Sequence, residues 1–215
     1  GDWSSDVCSS DLVIGIIYGA LGCLAQTDMK RLIAFSSVAH MGFVMLGIST
    51  LTEFGINAAL FGMVAHGLIT GMLFFLAGSV KHRYHTLEIS RLSGMLIQMP
   101  RLGWILGFAA MASLGLPGLA GFWGEFPAIL SAYNPNFGLD VTLYRTLMVV
   151  AALGTVLAAA YLLWLYQRTA FGRPNPEFAG THSVGAAAAD DHHGADVHDV
   201  TPIEWIAWTP FLIAI

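Results

Sequence analysis

The sequence predicts an all-α, polytopic transmembrane helix bundle with one broken helix near Pro117. Three observations carry that prediction. Hydrophobic residues fill 56% of the 215 positions and charged residues only 11%, with a mean hydropathy of +0.67, whereas a soluble domain carries roughly 25% charge. Apolar runs without charge recur along the chain at about the 20 residues of helix that cross a hydrocarbon core. The Lys and Arg residues gather in alternate connections between those runs. A net charge of −5 offers no basic stripe from which nucleic acid can release counterions, so nucleic acid is excluded as a partner. Cys8 and Cys23 lie far apart without CxxC spacing, so neither a disulfide framework nor a zinc or iron–sulfur site can be built from this chain alone.

Residues 1–12, GDWSSDVCSSDL, hold no membrane-compatible run and switch abruptly into VIGIIYGALGCLAQ. They look like the in-frame translation of a sequencing adapter, a non-native tail to be left out of fold reasoning; the alternative is a native polar N-terminus. Val13 to about Gln26 then reads as the last part of a span, and Leu32 to Thr50 as a complete one. Phe54 to Val80 and Gly103 to about Tyr133 are long spans, Val141 to Tyr166 is another, and Ile203 begins a span that is cut off. Their unbroken apolarity is the signal, because lipid-facing and bundle-facing sides are both apolar. The resulting division is a membrane domain over 13–172, an acidic, His-rich cytoplasmic loop over 173–202, and the start of a further helix over 203–215.

Charge gives the orientation. Lys30 and Arg31, then Lys81, Arg83, Arg91 and Arg101, then Arg168 and Arg173 fall in connections that must share one face if each segment crosses once. The other face, Leu51–Glu53 and Asn134–Asp140, has only Arg145 nearby, so eight basic residues stand against one. Positive residues in short loops mark the cytoplasmic side.

An ionisable group inside a span costs at least a few kcal/mol and is a functional candidate by default. His40 lies mid-span in AFSSVAHMGFV, with Ser36 and Ser37 on its side of the helix; the three form a hydroxyl–imidazole stripe able to hold water, or His40 is simply satisfied by a neighbouring helix. His66 lies in GMVAHGLITGMLFF with Gly62 and Thr70 one turn to either side and Gly67 and Gly71 close by. Such small residues permit close helix approach, while an imidazole titrates near neutral pH and carries protons readily. Glu125 is the sharpest signal, in SLGLPGLAGFWGEFPAIL. Pro117 removes a backbone donor, Gly118 and its neighbouring glycines permit unusual dihedrals, and a break around Leu116–Gly118 explains why the segment exceeds a straight crossing. Glu125 then stands in the outer half; the alternative is that the span ends near Trp123 and Glu125 is interfacial. Asp28, in QTDMKRL beside Lys30, is either a proton-uptake carboxylate or a helix cap paired with the adjacent cations. His182, His192, His193 and His198, among Asp190, Asp191, Asp196, Asp199 and Glu204, can in principle bind a divalent metal, but a solvated loop explains them, and no metal site is expected.

The stretches QTDMKRLIAFSSVAHMGFVMLG, MVAHGLITGMLFFLAGSV and ASLGLPGLAGFWGEF resemble, in order and spacing, the antiporter-like membrane subunits of respiratory complex I, from about Val13 to Gly172. The resemblance implies a subunit of two inverted five-helix repeats, of which this chain holds the second, lying in a bacterial plasma membrane with the Lys30 loop in the cytoplasm. It implies a proton path through His40 and His66 to Glu125, the acidic residue of the broken helix, where sister subunits carry lysine. Ser36 and Ser37 would hold connecting waters, the Pro117–Gly118 break would admit water beside Glu125, and Asp28 and Lys30 would support the path. It also implies upstream glutamate and lysines that this chain lacks, so that the chain should not pump alone. No cofactor is expected in this chain; flavin, iron–sulfur clusters and quinone would belong to partner subunits, and its surroundings would be other membrane subunits of an NADH-quinone oxidoreductase and the lipid bilayer. The competing readings are a subunit of a multi-subunit sodium/proton antiporter or of a membrane-bound hydrogenase, and a purely structural anchor.

Overall fold

The computed structural model describes residues 3–179 and 198–215, with the backbone alone given over 3–12. Nine helices are described and no strand among these residues: α1 (Trp3–Leu24), α2 (Met29–Ser49), α3 (Glu53–Tyr84), α4 (Met95–Gln98), α5 (Pro100–Ser113), α6 (Ala120–Ser131), α7 (Val141–Ala170), α8 (Pro176–Ala179) and α9 (Pro202–Ala214). By length and composition α2, α3 and α7 can each cross a membrane. At about 1.5 Å per residue, the 32 residues of α3 outrun a hydrocarbon core of about 30 Å, so the helix continues past the apolar stretch at Val80. The helix of α1 runs back to Trp3 across the expected boundary at Val13, and its apolar part is Val13–Leu24.

The predicted long span from Gly103 divides in two. α5 ends at Ser113 and α6 restarts at Ala120, the link carrying positive φ at Gly115 (+76°) and Gly118 (+100°). Only a residue without Cβ takes those angles freely, and Pro117 between them has no amide with which to continue a helix. A second proline, Pro127, lies within α6.

α1 packs on α2 and α7, α2 also on α3 and α6, and α3 on α5 and α6. The apolar core forms two clusters. One holds Met29, Leu32 and Ile33 of α2 with Leu162 and Leu165 of α7; the other holds Phe43 and Leu46 of α2 with Leu147 and Ala151 of α7. Along α2 the interruption between them falls at His40.

The end rich in basic residues is knit together by short connections. Asp28 caps α2 by accepting from the Arg31 amide at 3.0 Å, and a two-bond backbone bridge joins Thr27–Met29 to Leu87–Ile89. Arg83, although predicted as a loop cation, is buried. Its Nη1 and Nη2 donate to the two Glu204 carboxylate oxygens at 2.9 and 2.6 Å, and its Nε donates to the His198 carbonyl at 2.7 Å. Glu204 also closes a capping box with Thr201 at the start of α9, while the Asp199 carboxylate accepts from the Arg101 and Leu102 amides at 3.2 Å each, at the start of α5. Glu204 stands at the start of the helix expected from Ile203, and Asp199, expected in a solvated loop, is instead held by the start of α5; His182, His192, His193, Asp190, Asp191 and Asp196 lie outside the described residues. At the opposite end Asn136 donates to the Leu51 carbonyl at 2.9 Å, and Arg145 lies 4.5 Å over the Tyr133 ring.

Candidate functional site

Separate helices bring three titratable side chains to the gap between the two apolar clusters. His40 of α2 places Nδ1 2.6 Å from Oε1 of Glu125 of α6, with 6% and 15% of the two side chains exposed. That spacing is a direct hydrogen bond at the short end for a nitrogen–oxygen pair. The other ring nitrogen, Nε2, lies 3.3 Å from the hydroxyl of Ser113, the last residue of α5, and 3.3 Å from that of Tyr161 of α7. His66 of α3 stacks obliquely near His40, the ring centroids 5.8 Å apart and the planes at 50°. Its Nε2 lies 3.1 Å from the Thr70 hydroxyl.

Glycine makes this convergence possible. A Cβ on Gly124 would lie 2.5 Å from the Gly62 Cα, so α3 and α6 touch backbone to backbone as small-residue interfaces allow, and His66 and Glu125 share one space. A Cβ on Gly115 would lie 3.1 Å from Oε2 of Glu125, so the break itself makes room for the carboxylate. Between His40, His66, Ser113 and Glu125 lies a cavity of about 20 Å³, enough for about one water. Glu125 also lines a groove of about 500 Å³ on the far side of α6, whose other wall is Ala152, Thr155 and Val156 of α7. The carboxylate thus faces an inner polar cavity and an outer, mostly apolar groove. It lies within α6 and packs against a histidine in the middle of α2.

Other expected site residues are placed differently. Ser36 and Ser37 donate back to the Ile33 carbonyl at 2.7 and 3.5 Å, the usual recourse of a serine within a helix, and not to His40. Gly67 has open space where a Cβ would be, and Gly71 faces Phe211, so of the glycines flanking His66 it is Gly62 that makes the close approach. Asp28 acts as a cap, with no ion pair to Lys30 or Arg31 among the described residues. Lys30 is exposed, and the rise of α2 puts it about 15 Å, and Asp28 about 18 Å, along the helix from His40. Among the described residues no group of three or more His, Cys, Asp and Glu is arranged to hold a metal ion. Ser113 and Tyr161 were not foreseen; the signal available was a hydroxyl beside the Gly-Pro break and a lone tyrosine in AAAYLLW.

The family model described as NADH:quinone oxidoreductase/Mrp antiporter, TM, matches residues 3–150, more than half of the chain. The chain belongs to this antiporter-like membrane family. His40, His66, Ser113 and Glu125 fall inside the matched stretch, and Tyr161 follows it. Among curated members of the family, NADH-quinone oxidoreductase subunit M of Rhodobacter capsulatus is 45% identical over 159 residues, 74% of this chain and 30% of that protein. NAD(P)H-quinone oxidoreductase chain 4 1 of Synechococcus sp. (strain JA-2-3B'a(2-13)) is 43% identical over 169 residues, 76% of this chain and 31% of that one. The chain therefore spans about a third of the length of these relatives. Among solved structures, respiratory complex I from Thermus thermophilus with bound NADH superimposes with a TM-score of 0.76 at 30% identity, over 98% of this chain and 38% of that one. The Mrp complex from Dietzia sp. DQ12-45-1b gives 0.69 at 22% identity, over 79% and 30%, which shows the shared fold. The predicted all-helical membrane bundle of this family stands.

Proposed function

We propose that this chain is part of a proton-translocating membrane subunit of an NADH-quinone oxidoreductase, in which quinone reduction carried out by other subunits drives proton transfer through His66, His40 and Glu125. The observation that supports it best is the direct His40–Glu125 contact at 2.6 Å beside a cavity shared with His66, because a structural bundle has no use for three titratable groups at its centre. A proton held on His66 reaches His40 through a water in that cavity, passes from Nδ1 to the Glu125 carboxylate, and leaves by way of the groove between α6 and α7. The driving force is electrostatic. One pKa unit corresponds to about 1.4 kcal/mol and moving one charge against 100 mV to about 2.3 kcal/mol, so a shift of a few units shared among coupled groups suffices. In this reading flavin, iron–sulfur clusters and quinone belong to partner subunits, the surroundings are a bacterial plasma membrane and its other complex I membrane subunits, and the chain alone is inactive.

The test is Glu125→Gln in the full-length subunit within its assembled complex, measuring proton uptake by membrane vesicles. Coupled uptake should fall by on the order of tenfold or more, as loss of a positioned acid–base group does; uptake at the native rate overturns the reading. Sequencing the source locus separates the antiporter alternative, since neighbouring genes for respiratory subunits support the present reading and antiporter subunits replace its partners and driving force.

A further inference from the structure

His40 receives a polar group from each of four neighbouring helices. Glu125 comes from α6, His66 from α3, Ser113 from α5 and Tyr161 from α7. Glu125 occupies Nδ1, and two hydroxyls compete for Nε2. Tyr161 has no exposure at all, and its ring packs in the larger apolar cluster, where a phenol without a partner is costly. Its hydroxyl finds partners in the His40 ring and in Ser36, so the side chain joins the apolar core to the polar centre.

Resting on the proton-path reading above, we propose that the Tyr161 hydroxyl, with Ser113 as its counterpart, is a positioning residue that holds the His40 ring with Nδ1 toward Glu125 and satisfies Nε2 in every protonation state of the ring. In the neutral ring with its proton on Nδ1, the Nε2 lone pair accepts a hydrogen bond from the hydroxyl. When the ring is loaded, the proton arriving from His66 by way of the cavity water lands on Nε2, the hydroxyl turns its O–H away, and Nε2–H donates to the hydroxyl oxygen. When the Nδ1 proton then passes to the Glu125 carboxylate, the neutral ring left behind keeps Nε2–H and the same donation, and from this tautomer the next proton enters at Nδ1, which borders the same cavity through Glu125. A hydroxyl serves all three states by rotating its O–H, because it both donates and accepts; a methyl group or bare phenyl ring serves none. The hydroxyl keeps its own proton throughout, so Tyr161 orients the ring without carrying charge.

The experiment uses the full-length subunit in its assembled complex, with coupled proton uptake by membrane vesicles as the readout. Tyr161→Phe should slow uptake roughly fivefold, the effect of one hydrogen bond of ordinary net strength; Ser113→Ala should slow it less, and the double variant more than either. Genetically encoded fluorotyrosines at position 161 keep the shape of the side chain while raising its acidity. Uptake should change in a graded way across that series, which a merely structural tyrosine would not produce. Should Tyr161→Phe fail to assemble, the fluorotyrosine series decides alone. Native rates throughout the series, with Glu125→Gln still impaired, overturn this proposal and leave the proton-path reading standing. Native rates for Glu125→Gln overturn that reading first.

Discussion

His40 and Glu125 are 85 residues apart in the chain, and nothing in the local sequence of either predicts that they touch. Each was legible as a candidate on its own, because an ionisable side chain in an apolar run is an unexplained cost. What stayed hidden was the pairing, which depends on where α6 restarts after the break, and the identity of the hydroxyls. The serines one turn from His40 looked like its partners, but a helix offers its own carbonyls first, and Ser36 takes Ile33 at 2.7 Å. The hydroxyls that reach the imidazole come from α5 and α7. Gly115 carries the residue-scale prediction. Its φ of +76° and the 3.1 Å that a Cβ would leave to Oε2 of Glu125 both oppose any side chain. Gly115→Ala should lower the thermal stability of the purified complex by about 1–2 kcal/mol and reduce coupled proton uptake as well, whereas Gly118→Ala, with nothing within 4 Å but a φ of +100°, should show the stability loss alone. Calorimetry and vesicle uptake on the same preparations separate the two.

At the scale of elements, the broken span was readable from Gly115, Pro117 and Gly118, and the bounds of α2 and α7 from apolarity. The clamp at the basic end was not. Arg83 looked like one more positive-inside residue, yet its guanidinium is enclosed by the 198–204 segment, and the same segment caps α5 through Asp199. The one sequence trace of this knot is the T-x-x-E of Thr201 and Glu204, which marks a capped helix start but not what the glutamate does with its second oxygen. Arg83→Ala removes the guanidinium from Glu204, which keeps only Ser79 and its capping box, and loosens α9 from α3. It should destabilise the fold by about 3 kcal/mol and lower the amount of complex in membranes, while Arg91→Ala, which removes an exposed pair with Glu177, should leave that amount within measurement error. Blue native gels of both variants check this. Gly124→Ala belongs at the same scale: with 2.5 Å to the Gly62 backbone, the added methyl must push α3 and α6 apart, and overpacking of that kind costs about 1–3 kcal/mol.

For the whole molecule, charge counting gives a direction in the membrane that can be tested without reference to activity. Phe137, fully exposed in the connection between α6 and α7, and Ser90, exposed in the connection after α3, stand at opposite ends of the bundle. With Cys8 replaced and Cys23 buried, Phe137→Cys should react with a membrane-impermeant maleimide added to intact cells, and Ser90→Cys only after the cells are opened; the reverse pattern inverts the assigned orientation. The Gly62–Gly124 contact also bears on how such a molecule moves. Elsewhere, side chains of neighbouring helices interlock, so that a shift of one past another must lift each knob out of its hole. Where two backbones meet with no side chain between them there is nothing to lift, and the junction works as a bearing and not as a gear. A half-helix that begins after a break and rests on such a bearing meets less steric resistance to a small turn there than where knobs interlock, and Glu125 is the residue next to that point.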